Sequence, residues 1–170
     1  MTIRLTLAAL MAAAAMPALA QTPPPAAPRP PPARAPSMAL AVEAAETAVA
    51  TCKANGYTVS ASVIDSAGVM RALVAADGAG KGPVESATRK ANASLMFKEP
   101  SAVTQEKVKT DPALDAKIKA DASLMARAGA EPIMVGSEII GAIGVGGAPG
   151  GEKDDVCAIA GLEKVKARLK

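Results

Sequence analysis

Two patterns that are typical of short β-hairpins constrain the fold of this chain most. Residues 57–65 alternate between apolar and polar side chains, a turn is predicted over 65–68, and a second strand over 69–76. The same arrangement recurs at 132–136 and 139–146. Because two strands joined by a short turn run antiparallel, the sheet is predicted to be mostly antiparallel.

Helical segments flank both hairpins. Ser37 and Asp111 are residue types that cap a first helical turn, whereas Gly56 and Gly129 are of the type that ends a helix. Apolar side chains at helical spacing predict helices over residues 37–55 and 111–128 and a closing helix at the end of the chain. Pro83 suits the first position of a further helix over 83–97, and a short helical piece is expected over 101–109.

Charged residues support two of these helices. Glu85 and Arg89 are one turn apart and are expected to pair. Asp154 and Asp155 are expected in the first turn of the closing helix, where negative charge favours the helix dipole. The predicted order is α-β-β-α-α-β-β-α, an α+β domain in which a mostly antiparallel sheet of two hairpins is flanked by helices.

The first twenty residues have the three parts of a secretory signal peptide. Arg4 supplies a positive start, residues 5–15 form an apolar run, and residues 18–20 give the small-x-small pattern that signal peptidase cleaves. The apolar run is too short to cross a bilayer, which takes about 20 residues. We therefore expect cleavage before Gln21, no membrane anchor afterwards, and a periplasmic or secreted protein.

Proline dominates the segment that follows. Eight of the fifteen residues from Thr22 to Pro36 are proline, which excludes a helix and favours extended polyproline II. Residues 21–36 are therefore predicted to be a disordered linker that tethers a domain over 37–170. A proline-rich ligand for a partner domain is the alternative.

The composition excludes several classes of function. With 19 basic and 16 acidic residues, one Tyr, one Phe and no Trp, the chain has neither the charge nor the stacking side chains for nucleic-acid binding. It contains no histidine, so the usual general base, zinc ligand and haem ligand are all missing. We therefore predict no catalytic residue and no metal site.

The two cysteines are predicted to pair. Cys52 lies near the end of the first helix and Cys157 near the start of the last. An even cysteine count in an oxidising compartment favours one structural disulfide, here between the terminal helices. A redox-active pair is the alternative, although the chain has no C-x-x-C motif.

Two partial motifs resemble catalytic or nucleotide-binding sites. The glycine-rich stretch at 144–151 lacks both the spacing and the strand–helix–strand context of a dinucleotide loop, so its small residues are interpreted as allowing close packing. Ser86 and Lys90 are one helical turn apart, the arrangement of a Ser–Lys hydrolase. A lysine at that spacing is more often an exposed surface group, which is the interpretation preferred here.

Three stretches resemble the GlcG/HbpS-like family, also described as haem-degrading domains. They are VSASVIDSAGVMRALVAADGA, ESATRKANASLMFKEPS and EPIMVGSEIIGAIGVGGAPGGEKDDVCAIAGL, within residues 38–169. The resemblance implies a profilin-like sheet, a homo-oligomer and, as in some secreted members, haem binding. A Tyr-Thr pair linked to haem contact in relatives is replaced by Asn92 and Ala93, which leaves the axial ligand open.

Other side chains could supply an axial ligand to haem. Thioether sulfur and phenolic oxygen are both known ligand types, and they occur here in Met96, Met125, Met134 and Tyr57. Each of these residues also has an ordinary explanation as part of the core.

We therefore expect an exported protein that binds a small molecule, with haem as its cofactor. The binding wall is predicted from the loop 77–82, the helix 83–97 and the turn 144–151, with these candidate residues: Arg71, Asp77, Gly78, Arg89, Lys90, Phe97, Gly146 and Gly147. The alternatives are an enzyme acting on a small carboxylate or a tetrapyrrole, and a non-catalytic oligomeric accessory protein. The absence of histidine argues against the enzyme.

Overall fold

The structure is a computed structural model that describes residues 32–170. The predicted signal peptide and most of the predicted linker lie outside the described residues. The helices and strands, in chain order, are α1 (Met38–Ala54), β1 (Ser60–Asp65), β2 (Met70–Ala75), α2 (Lys81–Phe97), α3 (Ser101–Lys107), α4 (Pro112–Ala120), β3 (Ala130–Val135), β4 (Glu138–Gly146) and α5 (Gly151–Lys166).

The two hairpins form one four-stranded antiparallel sheet in the order β2-β1-β4-β3. They meet through their inner strands, since Ser60 of β1 lies opposite Gly146 of β4, and Asp65 lies opposite Gly141. The predicted α+β fold, its antiparallel sheet and its arrangement of two hairpins among helices are confirmed, with α2, α3 and α4 between the hairpins.

One face of the sheet is covered by α1 and α5. Helix α1 turns an alanine-rich face inward, with Ala41, Ala45 and Ala48 all inaccessible to solvent. Gly161 of α5 lies so close to the α1 backbone that any side chain there would clash with it. Small residues therefore set the separation of the two helices.

The predicted disulfide is confirmed between these same helices. Cys52 of α1 and Cys157 of α5 are bonded, with their Cα atoms 5.6 Å apart and a sequence separation of 105. Both cysteines belong to the buried cluster between the helices and the sheet, so the bond crosses the core rather than the surface.

Helix α2 covers the opposite face. A Cβ at Gly144 or Gly146 of β4 would run into the α2 backbone at Ala87, so strand and helix are in direct contact. The close-packing interpretation of this glycine-rich stretch is therefore correct. Ser60 and Ser62 of β1 are also completely buried, because β1 is a central strand covered on both faces.

The predicted fourth helix is too long. It ends at Ala120 rather than just before Gly129, although Asp111 caps its start as expected. The carboxylate of Asp121 accepts hydrogen bonds from both the N–H and the hydroxyl of Ser123 and so forms a turn that replaces the helix. The segment 121–129 that follows is irregular and lies beside α2.

Three further expectations are corrected. Glu85 pairs with Lys81 at 3.2 Å, whereas the guanidinium of Arg89 donates to the carbonyl of Leu124. Strand β1 begins at Ser60 rather than at residue 57. Asp154 lies in the first turn of α5, but Asp155 lies beyond it.

The first described residues contact the sheet and the C-terminus. Arg34 exchanges hydrogen bonds with Ser66 in the first hairpin, and its guanidinium pairs with Glu138 at 2.7 Å. It also donates to the carbonyl of Lys170. Within residues 32–170 the structure contains no helix both long and apolar enough to cross a membrane.

Candidate functional site

Helix α2 borders two cavities that differ in character. The polar cleft, about 290 Å³, lies near the start of the helix against the turn 147–151; we define it by Ser86, Lys90, Arg127, Gly147 and Asp154. The apolar groove, about 610 Å³, lies along the second half of the helix against the first hairpin turn; we define it by Ala67, Asn92, Leu95, Met96, Lys98 and Ile139.

A buried ion pair lies in the wall of the polar cleft. Lys90 is only 2% exposed, and its Nζ lies 2.6 Å from Oδ2 of Asp154 and 3.0 Å from the carbonyl of Val145. Burial lowers the pKa of Lys90, although Asp154 acts in the opposite direction. The other oxygen of Asp154 accepts the N–H of Ala148, so the ion pair also fixes the turn before α5.

Gly129 makes room for this ion pair. A Cβ at this position would lie 2.7 Å from Cβ of Asp154 and 2.8 Å from Nζ of Lys90, and the backbone has a positive φ of 124°. Its N–H donates to Asp155 at 3.0 Å. Sequence reasoning assigned Gly129 only to the end of a helix, so its role in holding the ion pair was missed.

The Ser86–Lys90 arrangement differs from the sequence-based interpretation. Lys90 is buried rather than an exposed surface group. Both residues line the polar cleft, but the hydroxyl of Ser86 contacts the sulfur of Met125 at 3.5 Å, while Lys90 donates to Asp154 and Val145. The serine is therefore not hydrogen-bonded to the lysine that would have to activate it.

Two carboxyl groups lie close together beside the ion pair. Burial, and secondarily the charge of Asp155, raises the pKa of Glu131 on β3 to about 7. Burial also raises the pKa of Asp155, while its hydrogen bond from Gly129 and the charge of Lys90 oppose that shift. This end of the sheet therefore changes charge near neutral pH.

The apolar groove combines apolar walls with a few polar groups. Leu95 and Ile139 line it, Met96 is 48% exposed, and Lys98 follows the end of α2 in a left-handed conformation. Asn92 donates to the carbonyl of Ser123 at 3.1 Å and so ties α2 to the irregular segment. The groove thus offers an apolar surface, a thioether and a cation.

The structure brings together only some of the predicted site residues. Lys90 and Gly147 line the polar cleft, with Gly146 buried next to it under α2. Arg89 lines a neighbouring depression of about 450 Å³ that shares Asn92 with the apolar groove. The three predicted wall segments do meet at the polar cleft, although Gly82 alone represents the loop 77–82.

The remaining predicted residues lie elsewhere. Arg71 pairs with the buried carboxylate of Asp65 at the first hairpin turn. Asp77 and Gly78 are in an exposed loop, and neither lines any of these cavities. Phe97 packs in a small cluster with α4, beneath the ammonium of Lys117.

Asp65 explains the position of Arg71. Burial raises the pKa of Asp65, but hydrogen bonds from the N–H groups of Val69 and Ala67 and from Arg71 together lower it by more, so the net shift is downward. An ionised carboxylate therefore organises the hairpin turn, and Arg71 balances its charge.

These features define a single α+β domain with cavities of opposite polarity along one helix. The chain belongs to the family described as haem degrading protein HbpS-like, whose model matches residues 37–163. A comparison with the curated proteins found no match.

Solved structures resemble the chain over most of its length. A double mutant of HbpS from Streptomyces reticuli is 28% identical, with a TM-score of 0.73, covering 88% of this chain and 99% of that one. The ORFY protein of Klebsiella pneumoniae is 21% identical, with a TM-score of 0.71 and coverages of 79% and 92%.

A third solved structure is a complex of PduOC with haem. It is 19% identical to this chain, with a TM-score of 0.64, covering 71% of this chain and 88% of that one. At such identities, the ORFY and PduOC structures establish a shared fold.

Proposed function

We propose that this protein binds haem, or a related tetrapyrrole, in the apolar groove. A haem needs a broad apolar surface, positive charge near its two propionates and an axial ligand for its iron. The groove, at about 610 Å³, combines these properties, whereas the polar cleft, at about 290 Å³, falls just below the range of about 300–1,000 Å³ usual for drug-sized ligands. The family and the haem complex of PduOC support the same ligand.

Met96 is the axial ligand we propose. Four thioether or phenol side chains were predicted from the sequence as possible ligands. Among the described residues, 32–170, Met96 is the one of these four that lines the groove. Met125 contacts Ser86, Met134 lies on β3 beside Glu131, and Tyr57 lies under Lys153. Bound haem would supply redox or oxygen chemistry at its iron.

The groove also clarifies the substitution of the relatives' Tyr-Thr pair. Asn92 lines the groove, so its amide can contact a bound macrocycle, while Ala93 is completely buried. Lys98 and Arg89 lie on either side of Asn92 along the helix and are proposed to face the propionates. Lys98 is exposed, so its contribution is expected to be small, since surface charge pairs contribute about 0–1 kcal/mol.

Haemin titration of the chain from Gln21 onward tests this proposal. We expect a saturable Soret shift at a fixed stoichiometry. Met96→Leu keeps the volume but removes the sulfur, so it should change the Soret position and weaken binding at least about tenfold, or about 1.4 kcal/mol. Met134→Leu on β3 is the matched control and should behave as the unmodified protein.

A second pair of variants tests the location. Ala67 is exposed in the hairpin turn and lines the groove, so Ala67→Trp should obstruct it, whereas Ala116→Trp on the exposed side of α4 should not. A protein with no saturable Soret change would contradict haem binding. Normal binding by Ala67→Trp would place the ligand somewhere other than the groove.

We further propose that the protein is exported, with residues 1–20 as signal peptide and a periplasmic or secreted destination. The Cys52–Cys157 bond supports this, because stable disulfides are typical of oxidising compartments. Mass spectrometry of the protein from culture supernatant and periplasm should find a chain that begins at Gln21. An intact N-terminus in the cytoplasmic fraction would contradict export.

Self-association through β2 is the third part of the proposal. This edge strand and the turn before it expose Val69, Met70 and Leu73, each by at least 40%. Apolar groups on an unpaired edge favour pairing with a second copy. Light scattering should detect an oligomer that Leu73→Lys weakens and Val103→Lys, on exposed α3, does not; a strict monomer would contradict it.

A further inference from the structure

The polar cleft is a second site, and its chemistry differs from that of the apolar groove. Lys90 of the cleft and Asn92 of the groove are two residues apart on α2, about 200° round the helix, so they face opposite sides of it. No residue that defines one cavity belongs to the other. A ligand of the cleft is therefore independent of haem.

Lys90 presents an unused donor to this cleft. Its ammonium has three N–H groups, and two are accounted for by Asp154 and the carbonyl of Val145. Among residues 32–170 the third has no acceptor, although the side chain is only 2% exposed and lines the cleft. A buried donor without an acceptor is costly, so a ligand that accepts it would be stabilising.

The buried ion pair is itself unusual for a purely structural element. Desolvation of two charges often cancels their attraction, and apolar residues of similar volume can be equally stable. Buried charge pairs with shifted pKa values, when they line a cavity, occur often at binding and catalytic sites. Lys90 and Asp154 form such a pair, because both are buried and both line the polar cleft.

Arg127 supplies a second cation. It is exposed, it lines the cleft, and it has no salt bridge within residues 32–170. Its charge also acts on Lys90, where it adds to the effect of burial in lowering the pKa. With Asp154 as the one carboxylate among the lining side chains, the lining carries net positive charge.

Two further features suit an anion. The hydroxyl of Ser86 has only the weak sulfur acceptor of Met125, so it can reorient towards a ligand. Helices α2 and α5 both begin at the cleft, and neither has a side-chain cap. Their positive ends add to the charge of Lys90 and Arg127.

We propose that the polar cleft binds a small oxyanion, a carboxylate or phosphate group, through Lys90, Arg127 and Ser86. The cavity of about 290 Å³ limits the ligand to a few heavy atoms beyond the anionic group. The carboxylate of Glu152 lies beside Gly150, which lines the cleft, so its negative charge opposes the binding of such an anion.

Calorimetric titrations with sodium phosphate and with sodium acetate, at constant ionic strength, test the site. We expect saturable binding of at least one probe, and the probe that binds identifies the anionic group. Arg127→Gln should weaken binding about tenfold to a hundredfold, because a charged hydrogen bond is lost. Arg168→Gln, at the exposed end of α5, is the matched control and should have no effect.

Two further variants test the site even if Arg127→Gln disturbs the fold. Ser86→Ala should weaken binding several-fold. Glu152→Gln removes the opposing charge and should strengthen it, an effect that a generally destabilising change would not produce. Absence of saturable binding by both probes, or equal binding by Arg127→Gln and the unmodified protein, would overturn the proposal. A haemin titration that fails while these anions bind would leave this site intact.

Discussion

Replacing Glu131 by glutamine is expected to stabilise the fold at pH 8 and to leave it almost unchanged at pH 4. The pKa of this carboxyl is raised from 4.5 to about 7, because β3 buries it and Asp155 lies nearby. The folded state therefore binds this proton more tightly than the unfolded state does. Stability that Glu131 contributes in its protonated form is fully present below pH 4.5 and is lost as the pH rises through 7.

The magnitude follows from the same shift. At about 1.4 kcal/mol per pKa unit, moving from 4.5 to about 7 corresponds to an upper limit of about 3–4 kcal/mol. Glu131 is only half-buried, so screening by water reduces the expected effect to about 1–2 kcal/mol. Glutamine keeps the shape but cannot ionise, and it also relieves the repulsion of Asp155.

Urea unfolding followed by circular dichroism at pH 4, 6 and 8 measures this difference. The midpoint of Glu131→Gln should exceed that of the unmodified protein at pH 8, and the two should converge as the pH falls. Glu46→Gln, on the exposed side of α1, is the control and should shift the midpoint equally little at each pH. A Glu131→Gln midpoint that parallels the unmodified protein at all three pH values would refute this reasoning.

Three other sets of substitutions probe the interior. Replacing Cys52 and Cys157 together by alanine removes a cross-link that spans 105 residues and should lower the free energy of unfolding by up to about 4.7 kcal/mol, measured by urea unfolding. Lys90→Met leaves Asp154 buried without its partner and should cost about 3–5 kcal/mol; the double variant with Asp154→Leu should recover most of the loss, and no recovery would argue against a buried pair. Gly129→Ala should cost about 2 kcal/mol or more in thermal unfolding, because it combines a strained φ with contact at the ion pair, and an unchanged midpoint would contradict that packing.

The regular elements could be predicted because their signals are local. Alternation and turn residues place both hairpins, and Asp111 marks the start of α4 by capping it. The end of α4 could not be predicted in this way. Residues 121–129 keep an apolar pattern that suits a helix, but hydrogen bonds to α2 and the turn at Asp121 hold them in another conformation.

The candidate sites were predicted less completely, for a physical reason. Nothing local distinguishes a buried lysine from an exposed one, because the partner of Lys90 lies 64 residues away in Asp154. The role of Gly129 likewise depends on α2 and α5 packing against it. Residues of the three predicted wall segments do line one cleft together, because glycine-rich turns beside helix starts are a local signal, but whether that cleft binds a ligand stays a prediction.

The central pairing of β1 with β4 has a kinetic consequence. These strands come from opposite ends of the domain, so the middle of the sheet closes only through contacts between residues far apart in sequence, such as Ser60 and Gly146. Folds with such long-range contacts lose more chain entropy before they gain stabilising interactions, and they fold slowly. The N-terminal hairpin is thus expected to lack its central neighbour until residues 138–146 have been synthesised, and the export proposed above would act on a chain whose sheet is still incomplete.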